Sequence, residues 1–116
     1  MTFDVEIVLR ECDYAVTERL EHGNDAANWT DADVESVLKS MLRAINRVKN
    51  PEQEDPHVAL RGFSWIAEPT AEGVVIAIEI PMGAAVAGPF DIDQPRLDRM
   101  ISRVIAAASP LRTSIH

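Results

Sequence analysis

The sequence has little of what a secreted, disulfide-stabilised or membrane-anchored protein uses. Its 116 residues include one cysteine, Cys12, so no disulfide can form within the chain and no cysteine pair is available for zinc. The N-terminus lacks the basic region and apolar run of a signal peptide. No apolar stretch approaches the roughly 20 residues that cross a bilayer. These absences predict a cytoplasmic protein.

Basic residues are also scarce. Lysine and arginine number 11 against 19 aspartates and glutamates, and the net charge of −8 is spread along the whole chain. Because phosphate backbones and anionic lipid surfaces repel such a molecule, general binding to nucleic acids or to membranes is excluded. The negative charge predicts solubility, and it is also compatible with a basic protein as partner.

Motifs that carry chemistry are missing as well. Glu18 and His22 have the spacing of two metal ligands on one helix face, but no third ligand accompanies them. Cys12 falls on an apolar face, as an inert buried thiol does. The glycine-rich segment 83–89 lacks the spacing and the lysine of a phosphate-binding loop. We therefore expect no metal, no cofactor and no identifiable catalytic residue.

What the chain does contain is a strong strand pattern in residues 74–82, VVIAIEIPM, in which every even position is apolar. Residues 57–68 also read as a strand, with Gly62 as an irregular point, and residues 69–73 form a turn between the two. The sequence thus predicts an antiparallel hairpin. Residues 83–90 have two interpretations, a third strand or a loop that lies against the core.

Two amphipathic helices are predicted at 31–49 and 94–109. Thr30 is a good N-cap for the first, and Trp29 and Val34 have the spacing of a hydrophobic staple. The second helix repeats this arrangement with Ile92 and Leu97.

Residues 2–22 have two interpretations. Apolar residues recur at steps of three and four as far as Leu20, which favours one helix, whereas the alternation over residues 3–9 indicates a short strand before a helix. On the helical interpretation Phe3, Ile7 and Tyr14 form a second stripe, which is either covered within the domain or is a dimer surface.

The preferred fold is a single α+β domain over residues 1–116, with two layers in the order α-α-β-β-(β)-α and the helices on one face of a small antiparallel sheet. Because two long strands make a thin sheet whose edges need cover, we expect a homodimer.

Two functional hypotheses follow. The first is a small acidic interaction or regulatory module that acts as a dimer, with a second copy or a basic protein as its partner. Secretion chaperones and immunity proteins share this profile, but no motif links the chain to them. The second is a small-ligand-binding protein or enzyme with a pocket near His57, Arg61 and Trp65. Candidate surfaces are an aromatic strand face (His57, Arg61, Phe63, Trp65) and a basic ridge on the first long helix (Lys39, Arg43, Arg47).

Overall fold

The computed structural model describes residues 1–52 and 58–108, which form one antiparallel five-stranded sheet and two long helices. The elements are β1 (Thr2–Leu9), β2 (Ala15–Glu21), α1 (Asp31–Lys49), β3 (Ser64–Thr70), β4 (Gly73–Ile80), β5 (Gly83–Phe90) and α2 (Gln94–Ala108). A short 3-10 helix (Ala26–Asn28) precedes α1. The strands lie in the order β2-β1-β5-β4-β3.

The protein is α+β, but the predicted order of elements is wrong. The observed order is β-β-α-β-β-β-α, with α1 between β2 and β3. Residues 2–22 form a β-hairpin and no helix, because Phe3, Val5, Ile7 and Leu9 alternate toward the core along β1. The spacing of three and four arises because the chain reverses and β2 places Val16 opposite Ile7 and Leu20 opposite Phe3.

Residues 83–90, which the sequence left open, form the central strand of the sheet. Ala85 and Ala87 are buried beneath the helices, and their small side chains give the large residues of neighbouring strands room to pack. Gly83 is needed for close approach, since a Cβ there would lie 2.5 Å from the carbonyl oxygen of Val8.

The predicted hairpin before β5 is present with shifted bounds. β3 begins at Ser64 and not at residue 57, because Gly62 with φ of 75° interrupts the extended chain. His57 lies outside the described residues. Ala67 pairs with Ile76, and Pro69 is tolerated because β3 is an edge strand.

Both predicted long helices are present, and α1 has the predicted bounds. Trp29 and Val34 are buried at its start, as a staple requires. Both helices pack on the face of the sheet that carries Val5, Ile76 and Ala87, which are paired in register and buried. The core therefore lies between one helical layer and one side of the sheet. Among the described residues, no helix has the length and apolar character needed to span a membrane.

Candidate functional site

The aromatic strand face predicted from the sequence does not form as one surface. Trp65 is paired with the buried Ile78 on the helix side of the sheet, where it and Phe63 are half-buried against the core. Arg61 is exposed in the loop before β3. A concavity of about 330 Å³ beside this loop is lined by Phe63 and Arg10, among others, but not by Arg61 or Trp65.

The basic ridge on α1 is partly neutralised within the molecule. The Lys39 ammonium lies 2.8 Å from the Glu35 carboxylate, and the Arg47 guanidinium lies 2.7 Å from the carboxylate of Glu18 on β2. Arg43, between them on the helix, is half-buried. The pair of Lys39 and Glu35 lies within α1, whereas that of Arg47 and Glu18 joins α1 to β2. Two of the three cations are therefore paired within the molecule and are not available as free docking charges.

The stripe of Phe3, Ile7 and Tyr14 does not exist, because its residues do not share a helix. Phe3 and Ile7 are 6% and 0% exposed beneath the helices. Tyr14 lies in the turn between β1 and β2 and is 67% exposed. The only one of the three that a partner could reach is therefore Tyr14.

The opposite side of the sheet was not predicted as a surface from the sequence, and no described segment covers it. Three large apolar side chains are exposed there: Val8 at 42%, Ile66 at 53% and Val86 at 40%. In-register pairing puts Ala77 between Ile66 and Val86. Since paired residues project to the same side of a sheet, Ile66, Ala77 and Val86 form an apolar row across β3, β4 and β5.

A second row on the same face lies two residues further along the strands. Ala84 stands between Glu79 on β4 and Val8 on β1. We call the five apolar residues of the two rows the open-face patch: Val8, Ile66, Ala77, Ala84 and Val86.

Carboxylates surround the open-face patch. Glu6 is paired with Val86, and Glu79 with Ala84. The one guanidinium that the described strands add to this face belongs to Arg19, 3.0 Å from the carboxylate of Asp4. The acidic residues of the face are Asp4, Glu6, Glu21, Glu68 and Glu79. Arg10, which follows β1, lines a concavity together with Glu79 and adds a second guanidinium beside the face. Five carboxylates against two guanidinium groups give the open face a negative potential around an apolar centre.

The strongest electrostatic cluster lies elsewhere and is structural. Asp33 near the start of α1 accepts hydrogen bonds from the backbone N–H of Thr30 at 2.8 Å and from the side chains of His22 at 2.9 Å and Asn24 at 3.0 Å. These bonds, that of Thr30 first, lower the pKa of Asp33 to about 2. The cluster ties the end of β2 to α1 and borders none of the open-face patch.

Within the described part of the chain, no group of three or more histidine, cysteine, aspartate or glutamate side chains is arranged to hold a metal ion. The hydroxyl groups beside the open-face patch belong to Thr17, paired with Glu6, and to Ser64, paired with Glu79. The described strands place no histidine or lysine beside them on this face. What this surface can do is bind another surface by apolar contact and by ion pairs.

No protein-family model matches the chain, and neither the curated proteins nor the solved structures include one with significant similarity to it.

Proposed function

We propose that this protein is an interaction module that binds a basic protein through the open face of its sheet. The observation that carries the proposal is an apolar patch, exposed on one side of a five-stranded sheet and surrounded by carboxylates. An exposed apolar patch with a polar rim is the usual composition of a protein-binding surface. The rim sets the sign of the partner, because carboxylates attract lysine and arginine.

A basic protein fits this surface better than a second copy. The prediction of a homodimer rests on a two-stranded sheet whose edges need cover from outside. The observed sheet has five strands, so this argument does not apply to it. Two copies meeting through their open faces would also bring ten carboxylates together with four guanidinium groups, those of Arg10 and Arg19 in each copy. Such an interface would be opposed by repulsion between like charges.

A small-ligand or enzymatic function has less support. Its predicted pocket depended on His57, Arg61 and Trp65, of which Arg61 is exposed in a loop and Trp65 packs toward the core. We also propose the cytoplasm as the compartment, on the ground that a lone cysteine suits a reducing environment.

Affinity capture with matched variants tests the proposal. The wild-type protein is immobilised and incubated with a lysate of the source organism, beside two variants of equal net charge. Glu6→Lys/Glu79→Lys reverses two carboxylates of the open face. Glu52→Lys/Glu72→Lys reverses two exposed carboxylates in turns outside it. Captured proteins are identified by mass spectrometry, purified and titrated by calorimetry.

We expect a lysine- and arginine-rich protein that the wild type and the control variant bind. The open-face variant should bind it more than about tenfold more weakly. Affinity should also fall when salt rises from about 50 to about 300 mM, because the ion pairs are screened. Equal binding by both variants would contradict the proposal, as would a wild-type protein that associates with itself through this face.

A further inference from the structure

A shallow pocket lies within the open-face patch. It has a volume of about 270 Å³ and includes Ile66, Ala77, Glu79, Ala84 and Val86 in its lining. The register explains the shape, because the short side chains of Ala77 and Ala84 stand diagonally to each other among taller neighbours. For comparison, an apolar cavity of about 150 Å³ holds a benzene ring.

The size of the open face explains why such a pocket matters. Five strands about 4.8 Å apart and seven residues at about 3.3 Å each give a footprint of roughly 24 by 23 Å. This flat projection of about 550 Å² allows an interface no larger than the standard one, in which each partner buries roughly 800 Å² of accessible surface. A small interface gains affinity from one or two large side chains that are fully desolvated in a pocket.

We infer that the pocket over Ala77 and Ala84 receives one large apolar or aromatic side chain of the basic partner, with a cation next to it paired to Glu79. The inference rests on the proposed function and adds the chemistry that the partner must present. Ile66 and Val86 form the apolar walls, and Glu79 is the carboxylate in the lining. A bulky side chain without an adjacent cation would leave Glu79 partly desolvated and unpaired.

The test uses three defined peptides and the 15N-labelled protein. Acetyl-Trp-Arg-amide carries both the ring and the cation, acetyl-Trp-Glu-amide reverses the charge, and acetyl-Gly-Arg-amide removes the ring. Each is titrated while the amide signals of Ile66, Ala77, Ala84 and Val86 are followed by NMR. We expect saturable shifts at these amides with the first peptide. The second should bind about fivefold more weakly, and the third should give no saturable shift.

Substitutions place the binding in the pocket. Ala77→Leu and Ala84→Leu each fill it from the open face, where a longer side chain meets solvent and leaves the core unchanged. Ala15→Leu makes the same change on β2, on the same face but outside the pocket. We expect the first two variants to lose the shifts of acetyl-Trp-Arg-amide and the third to retain them. Well-dispersed spectra of the three proteins show that each is folded.

The inference is overturned if acetyl-Trp-Arg-amide shifts other regions or none, if the charge-reversed peptide binds equally well, or if both leucine variants in the pocket leave binding unchanged. Its failure is separable from that of the proposed function. The protein captured from the lysate would then bind Ala77→Leu as it binds the wild type, yet still bind Glu6→Lys/Glu79→Lys weakly. If that double variant also bound normally, the proposed function itself would fail.

Discussion

At the start of α1, the carboxylate of Asp33 accepts hydrogen bonds from both the backbone N–H and the hydroxyl of Thr30, in addition to those from His22 and Asn24. The indole N–H of Trp29 in turn donates to the carbonyl oxygen of Asn24 at 2.9 Å. One ionised side chain therefore organises the segment that joins β2 to α1. Its charge is what the surrounding donors stabilise.

The pH dependence of stability follows from the lowered pKa of Asp33. The pKa falls from an ordinary value of 3.8 to about 2 in the folded protein. Because the folded-state pKa is below the unfolded one, the stabilisation is fully present above about pH 4 and is lost as the pH falls toward 2. We expect the melting temperature of Asp33→Asn to depend less on pH in this window than that of the wild type.

The same substitution should cost about 1 kcal/mol of unfolding free energy at pH 7, as loss of a helix cap does. Urea denaturation followed by circular dichroism measures it. Glu35→Gln, two residues further along α1, is the control, because the exposed ion pair that it removes with Lys39 contributes only about 0.3 to 0.5 kcal/mol. Identical pH profiles for wild type and Asp33→Asn would contradict the assigned role.

Arg96 makes another long-range polar contact near the start of α1. From α2 its guanidinium donates to the carbonyl oxygens of Ala27 at 3.1 Å and Trp29 at 2.7 Å. Hydrogen bonds from a charged donor contribute about 1.5 to 3 kcal/mol. We expect Arg96→Ala to lower the unfolding free energy by about 2 kcal/mol.

Arg96→Lys should restore little of this loss, because an ammonium does not reproduce the planar fork that reaches two carbonyl groups. Arg99→Ala, exposed on the same helix, should be near neutral. Denaturation in guanidinium chloride measures the unfolding free energy of the three variants. Equal stability of Arg96→Ala and Arg99→Ala would argue against the role of Arg96.

At the scale of elements, the parts that local chemistry specifies could be predicted and the parts that depend on pairing could not. The bounds of α1 follow from Thr30, Trp29 and a long amphipathic pattern. Val74 and Ile76 belong to a strand whose β-branched residues and adjacent turn indicate a hairpin. Each of these signals lies within a few residues of the structure it predicts.

Two strands lacked such a signal. The turn between β1 and β2 contains no glycine or asparagine, so the apolar residues on either side continue a helical spacing through it. β5 contains one valine and one phenylalanine, and its other six residues are glycine, alanine and proline, which are weak strand formers. The open-face patch could not be predicted, because Val8 and Val86 become neighbours of Ala84 and Ala77 only when both strands are present.

The central position of β5 can be tested at Gly83. A Cβ at this residue would lie 2.5 Å from the carbonyl oxygen of Val8 on β1, so Gly83→Ala forces the two strands apart. We expect a loss of about 1 to 3 kcal/mol, as for other overpacked sites. Gly23→Ala is the matched control, since no atom lies within 4 Å of a Cβ there. Equal melting temperatures of the two variants would mean that the strands tolerate the methyl group.

At the scale of the whole molecule, the two sides of the sheet differ in charge and in exposed apolar surface. The helical layer covers the core, and the open face exposes apolar side chains among carboxylates. An exposed sheet of this kind is prone to self-association, which like charges oppose. In the proposed function the carboxylates of the open face therefore have two effects, since they would attract a basic partner and repel a second copy.

We predict that the 12.8 kDa chain is a monomer in sedimentation equilibrium at about 0.1 M salt, where charges within about 10 Å of each other still interact. Glu6→Ala/Glu79→Ala should associate at concentrations at which the wild type does not, because it keeps the apolar patch without its charges. Glu52→Ala/Glu72→Ala is the control and should remain monomeric. A wild-type dimer would contradict the prediction.

The place of β5 between β1 and β4 has a consequence for biosynthesis. During translation the N-terminal hairpin leaves the ribosome early, yet the inner edge of β1 has its neighbour only after residue 90 has been made. Until then its backbone amides and carbonyls lack their partners, and the nascent chain is exposed to mispairing. We expect a chain ending at Met82 to show random-coil NMR dispersion, and a cooperatively folded fragment would refute this dependence on the last strand.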